Sequence, residues 1–114
     1  MIKKITAAIV IWKFFMYGII AATITFLPFI PSYTPYFQFS TPLPYWINVF
    51  ANFDGYHYLT IAMQGYSQRQ VPFFPFYPIL IRTFHTFTQI PYIISGQMVS
   101  LLCFFFAIIF IFKL

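Results

Sequence analysis

Two uncharged apolar runs frame this chain and decide what it can fold into. The first, FFMYGIIAATITFLPFI, covers Phe14 to Ile30; the second, YIISGQMVSLLCFFFAIIFIF, covers Tyr92 to Phe112. A helix needs about 17–25 apolar residues to cross a bilayer, and these runs have 17 and 21. Water offers no alternative. Only 6% of the residues are charged and 61% are hydrophobic, whereas a soluble domain carries roughly a quarter of its residues as charge. The pattern predicts an all-α integral membrane protein with two transmembrane helices, 14–30 and 92–112.

The flanks predict how these helices sit. Trp12 and Lys13 stand just before the first run, an aromatic ring for the headgroup level and an ammonium for water. Lys3 and Lys4 lie further out, and Lys113 closes the second run. The segment between the runs carries only Arg69 and Arg82 as cations. The positive-inside rule then puts residues 1–13 and 113–114 in the cytoplasm and the loop 31–91 outside or in a lumen. A cleaved signal peptide with MIKK as its basic region is the rival reading, but no clear small-residue cleavage site follows the apolar core. The net charge of +5 reflects a single acid against six basic residues. Those bases are scattered, so no nucleic-acid partner is implied. Cys103 is the single cysteine, which excludes an intrachain disulfide and reads as a structural thiol.

The loop is stiff and aromatic. All nine prolines fall between Pro28 and Pro91, and each fixes its own φ and restricts its predecessor. Two short helices are expected within it, near 54–65 and 78–88. Asp54 would cap the first at its start and Gly65 would stand past its end, with Asp54, His57, Tyr58 and Ile61 on one face. Pro78 would occupy the first position of the second. There Leu80, Ile81, Phe84, Phe87 and Thr88 form a mostly apolar face against Arg82, His85 and Gln89, as in a helix lying in the membrane interface.

Asp54 is the only carboxylate side chain. Three readings compete for it: a helix cap, a metal ligand with His57 or His85, and a general base that takes a proton from an attacking hydroxyl. One carboxylate and two scattered histidines form no recognisable ligand set, and no cofactor is expected. Read as a whole, W-x(6)-FDGYHYLTIAMQGY followed by FFPFYPILIR resembles the family of GPI mannosyltransferase II and its bacterial relatives. The matching positions are Phe53, Asp54, Gly55, His57, Tyr58, Ile61, Ala62, Gly65, Tyr66, Phe73, Phe74, Pro75, Tyr77 and Pro78.

That resemblance implies a membrane glycosyltransferase of the GT-C class, whose opening is a first membrane helix, an extracytoplasmic loop with interfacial helices and an essential Asp, then a second membrane helix. It implies an inverting transfer of mannose from a polyprenyl- or dolichyl-phosphate to an acceptor hydroxyl, in the cell membrane of a bacterium or the endoplasmic reticulum of a eukaryote. Asp54 would be the catalytic base. His57, Tyr58, Arg69 and Arg82 would meet the substrate, the guanidinium groups by pairing with the lipid phosphate. Against this stand plainer roles: a snorkelling Arg82, a solvated Arg69 and a structural His57. Two spans cannot enclose a lipid-linked sugar, so the resemblance also implies further transmembrane helices, in a longer enzyme or from another chain. The alternative is a small two-span protein acting by helix association, without catalysis, through Gly96, Gln97 and Ser100, since Gly96 and Ser100 share a helix face and admit close approach. The expected topology is tested by a membrane-impermeant protease on sealed vesicles: cleavage after Arg69 with Lys3, Lys4 and Lys113 spared is the predicted outcome.

Overall fold

The computed structural model describes residues 2–27, 43–51 and 54–113. Among them every regular element is helical. In chain order these are α1 (Ile2–Phe26), α2 (Tyr45–Asn48) running into a 3-10 turn at Val49–Ala51, α3 (Asp54–Gln64), a 3-10 turn at Gln68–Gln70, α4 (Phe76–Thr88) and α5 (Tyr92–Ile111). The chain divides into two compact units, residues 33–99 and residues 1–32 with 100–114. The expected residues 28–30 of the first span, Phe53, and the proline-rich stretch 31–42 lie outside the described residues.

α1 and α5 are both long and apolar enough to cross a membrane. α5 matches the expected second span to within one residue. α1 begins twelve residues earlier than the apolar run at Phe14, because Lys3, Lys4 and Lys13 change where a helix prefers to lie without opposing helix formation. Lys and Ala are good helix formers. Trp12 and Lys13 are therefore interior to α1, with the Lys13 Nζ 5.0 Å from the Trp12 ring centre. In that same unit the Trp12 ring tilts against Phe104 of α5 at 5.5 Å.

The other unit has a true core. Ala51, Leu59, Ala62, Ile81 and Ile93 are buried together, with Tyr58, Tyr77 and Tyr92 packed around them. Gly96, on the second turn of α5, is buried against it. With no side chain there, the Tyr77 hydroxyl donates 2.9 Å to the Gly96 carbonyl. A β-carbon on Gly96 would stand 3.3 Å from the Tyr77 oxygen and 3.4 Å from Ile81 Cδ1. The close approach expected of Gly96 is thus used by α3 and α4 of the same chain, while Ser100 remains exposed.

The turn from α4 into α5 is closed by polar groups. Gln89 adopts a left-handed conformation, φ 58°, and its N–H returns to the His85 carbonyl. The Ile90 carbonyl accepts from His85 Nδ1 at 2.6 Å and from the buried Ser95 hydroxyl at 3.0 Å. Both lone pairs of that oxygen are used, and the His85 nitrogen facing it must carry a hydrogen. The imidazole also stacks on Tyr92 at 3.8 Å.

Two details of α4 differ from the sequence expectation. The helix starts at Phe76, so Pro78 is its third residue, still within the first turn where a missing N–H costs nothing. The protein-facing side carries Tyr77, Pro78, Ile81 and His85, while Phe87 points outward at 84% exposure. The apolar arc of this helix is broad enough for one edge of it to meet the protein while the other stays outward, and His85 turns inward because a carbonyl and a ring await it. Replacing Gly96 with Leu should force Tyr77 and Ile81 apart and cost about 1–3 kcal/mol, read as a lowered Tm in detergent; Ser100→Leu should leave Tm nearly unchanged.

Candidate functional site

α3 is short, and its boundaries are set locally. It opens on Asp54, whose negative charge in the first turn suits the positive end of the helix dipole. Asp54 is the first residue of α3, where the sequence expectation had it as the cap. Gly55 follows because nothing larger fits: a β-carbon there would lie 2.8 Å from the Phe50 carbonyl oxygen. Gly65 ends the helix at φ +90°, its N–H bonded to the Ile61 carbonyl, as the sequence predicted.

The loop after α3 folds on itself. Gln70 is buried, and its Oε1 accepts from the Ser67 N–H at 3.1 Å and the Ser67 hydroxyl at 2.9 Å. The Tyr66 hydroxyl donates 2.7 Å to the Phe73 carbonyl. This fixes Phe73, whose ring stacks on His57 at 4.7 Å and meets the edge of Tyr58 at 5.2 Å. Sequence reasoning missed Gln70 and the clamp of Tyr66 on Phe73. The Ser67-x-x-Gln70 spacing was the available signal, since it is a capping-box pattern.

The candidate residues then separate. Asp54 is exposed at the start of α3. His57, one turn on, is half-buried; its Nδ1 is fully buried and has no hydrogen-bond partner among the described residues. Tyr58 belongs to the packing, edge-on to Phe73 and to Tyr77. Arg69 is exposed in the 3-10 turn. Arg82 reaches from α4 to the other end of α3, where its Nε donates 2.6 Å to the Ala62 carbonyl. A cation on the last carbonyls of a helix suits the dipole there. Ala62 lies eight residues beyond Asp54, about 12 Å along the helix at 1.5 Å per residue. The structure therefore places Asp54 and His57 on neighbouring turns and ties Arg82 to the far end of the same helix. No group of three or more His, Cys, Asp or Glu able to hold a metal ion occurs among the described residues.

An unpartnered buried polar atom costs roughly 1–3 kcal/mol. His57→Phe keeps the ring stack on Phe73 and removes that atom, so the variant should be as stable as the parent or gain about 1 kcal/mol. Thermal unfolding in detergent measures it.

No protein-family model matches this chain, and no curated protein or solved structure matches it significantly.

Proposed function

We propose that this chain carries the catalytic base of a membrane glycosyltransferase that moves a mannose-like sugar from a polyprenyl- or dolichyl-phosphate to an acceptor hydroxyl. The observation that carries this reading is a subtraction. Most of the motif positions among the described residues have a packing or hydrogen-bonding task in the fold, and Phe74, 72% exposed, is an apolar exception. Gly55 makes room for Phe50, Gly65 ends α3, Tyr66 holds Phe73, and Tyr58, Ile61, Ala62, Tyr77 and Pro78 are packed inward or tied to α5. Asp54 and His57 Nδ1 are left over. They lie three residues apart on one helix, and of the two the exposed Asp54 carboxylate is the group open to an acceptor hydroxyl, as proton abstraction requires.

The chemistry is a displacement. The Asp54 carboxylate takes the proton of the acceptor hydroxyl. The acceptor oxygen forms its bond to the anomeric carbon as the bond from that carbon to the phosphate oxygen breaks, and the phosphate leaves with the electron pair. Attack from the opposite face inverts the centre. Arg69, exposed on the loop that carries Phe73 to His57, is the better phosphate partner; Arg82 is committed to α3. The loop would face the extracytoplasmic side, with both ends of the chain in the cytoplasm and further membrane helices completing the cavity. Helix association through Gly96 draws no support from its surroundings, which are filled by Tyr77, Ile81 and Leu59.

Asp54→Asn keeps the size of the side chain and removes the base. In membranes containing the whole protein, sugar transfer from a polyprenyl-phosphate donor should fall by about 10²–10⁴-fold, with the amount of folded protein unchanged. Transfer at the parent rate would refute the assignment.

A further inference from the structure

One stripe of α1 faces protein, and a charge stands in the middle of it. Ile5 and Ile9 are buried, and Lys13, Met16, Tyr17 and Ile20 are half-buried. Spacings of three and four bring these six onto one side of the helix. Val10 and Ile11 face away, 60% and 68% exposed. On α5 the same pattern recurs: Leu101, Phe105 and Ile108 are half-buried between exposed neighbours. Trp12, at the edge of the α1 stripe, meets Phe104 of α5, so the stripe is the seam between the two helices.

We propose that Lys13 is an intramembrane cation, set in the α1–α5 seam below the membrane surface, and that its partner is an acidic side chain on a further membrane helix. Depth is the first argument. α5 has 20 residues without a charge, bounded by Pro91 and Lys113. That is about 30 Å of helix, the thickness of the hydrocarbon layer. Phe104 lies seven residues before its last residue, Ile111, about 10 Å inside that end. Trp12 packs on Phe104, so Lys13, one residue on, enters the bilayer with it. Two successive spans run in opposite directions, which carries Val10 and Ile11 toward the same end as Ile111 and still within lipid. A surface position for Lys13 would leave these two outward apolar side chains in water. The crossing segment of α1 then begins near Ile5, and the interfacial place expected for Trp12 and Lys13 is too shallow.

Charge is the second argument. Ionisable side chains inside a bilayer turn toward protein and pair there, and Lys13 shares a row with the buried Ile5 and Ile9. Its Nζ stands 5.0 Å from the Trp12 ring centre, a contact that attracts the cation without neutralising it. α1 and α5 contain no Asp or Glu. Charge complementarity therefore assigns the carboxylate to another helix, seated beside Lys13 along the seam. The hydroxyls of Thr6, Thr23 and Thr25 donate to carbonyls one turn earlier in α1, which leaves Lys13 as the group on this helix that calls for a charged partner. A lipid phosphate fits less well, because it lies outside the hydrocarbon and the Lys13 row faces protein. This inference is independent of the role given to Asp54.

The test uses the whole protein in its source membranes. Lys4→Cys, Val10→Cys and Ile11→Cys are made singly in a Cys103→Ser background, which keeps Lys13 in place, and open membrane sheets are treated with a charged, membrane-impermeant maleimide. The Lys4→Cys thiol should react, and those of Val10→Cys and Ile11→Cys should stay unlabelled. Labelling at either outward position as fast as at Lys4→Cys would put Lys13 at the surface and overturn the proposal. Thermal unfolding in the same membranes reads the partner. Removing one member of a buried ion pair strands the other charge, so Lys13→Met, similar in length, should lower Tm, while Lys13→Arg, which keeps the charge, should stay near the parent. A Lys13→Met Tm at or above the parent value would mean that no buried carboxylate meets the ammonium, as for a lysine reaching a lipid phosphate. Equal losses in Lys13→Met and Lys13→Arg would mark a packing fault alone. Either result overturns the assignment.

Discussion

The seating of α4 on the glycine turn of α5 is the contact on which the described part of the loop depends. Gly96 has no side chain, so the Tyr77 hydroxyl reaches its carbonyl and Ile81 and Leu59 close over the gap. Once α4 is held there, Tyr58 can pack edge-on against Tyr77, and α3 is fixed by its buried Leu59, Ile61 and Ala62. Arg82 then ties the end of α3 back to α4. In an apolar chain with few directional groups, a handful of hydrogen bonds to helix carbonyls selects one packing among many that bury similar area.

Polar groups are few here, and most described ones serve the backbone. Ser95 and His85 share the Ile90 carbonyl, Gln70 organises Ser67, and Tyr66 fixes Phe73. Such groups rigidify a structure when satisfied and cost stability when not. His57 Nδ1 and the exposed Asp54 stand outside this economy, close together in sequence on one helix. That contrast sets the start of α3 apart from the rest of the fold.

Much of the layout was legible in the sequence. Long apolar runs have one stable form in lipid, a helix whose backbone groups satisfy one another, so the helical class and the extent of α5 followed from composition. Gly65 announced the end of α3 because a positive φ there suits glycine. The start of α1 was less legible: hydropathy marks where charge begins, and a helix can continue through Lys13 to Ile2. The face of α4 was misjudged for a related reason. Phe76, Ile79, Ile81, Phe84 and Phe87 spread over one broad arc of α4, and periodicity cannot tell which edge of that arc meets the protein.

By itself the sequence determined the helical class, the two candidate spans, the loop between them and the short list of Asp54, His57, Tyr58, Arg69 and Arg82. Those follow from local rules of hydropathy, turn chemistry and charge. Tertiary structure decided how that list divides. Tyr58 is claimed by packing and Arg82 by a helix end twenty residues earlier in the chain, while Asp54 stays exposed and His57 stacks on Phe73 with its Nδ1 unpartnered among the described residues. Contacts across such separations depend on how α3, α4 and α5 meet, and no spacing along the chain encodes that meeting.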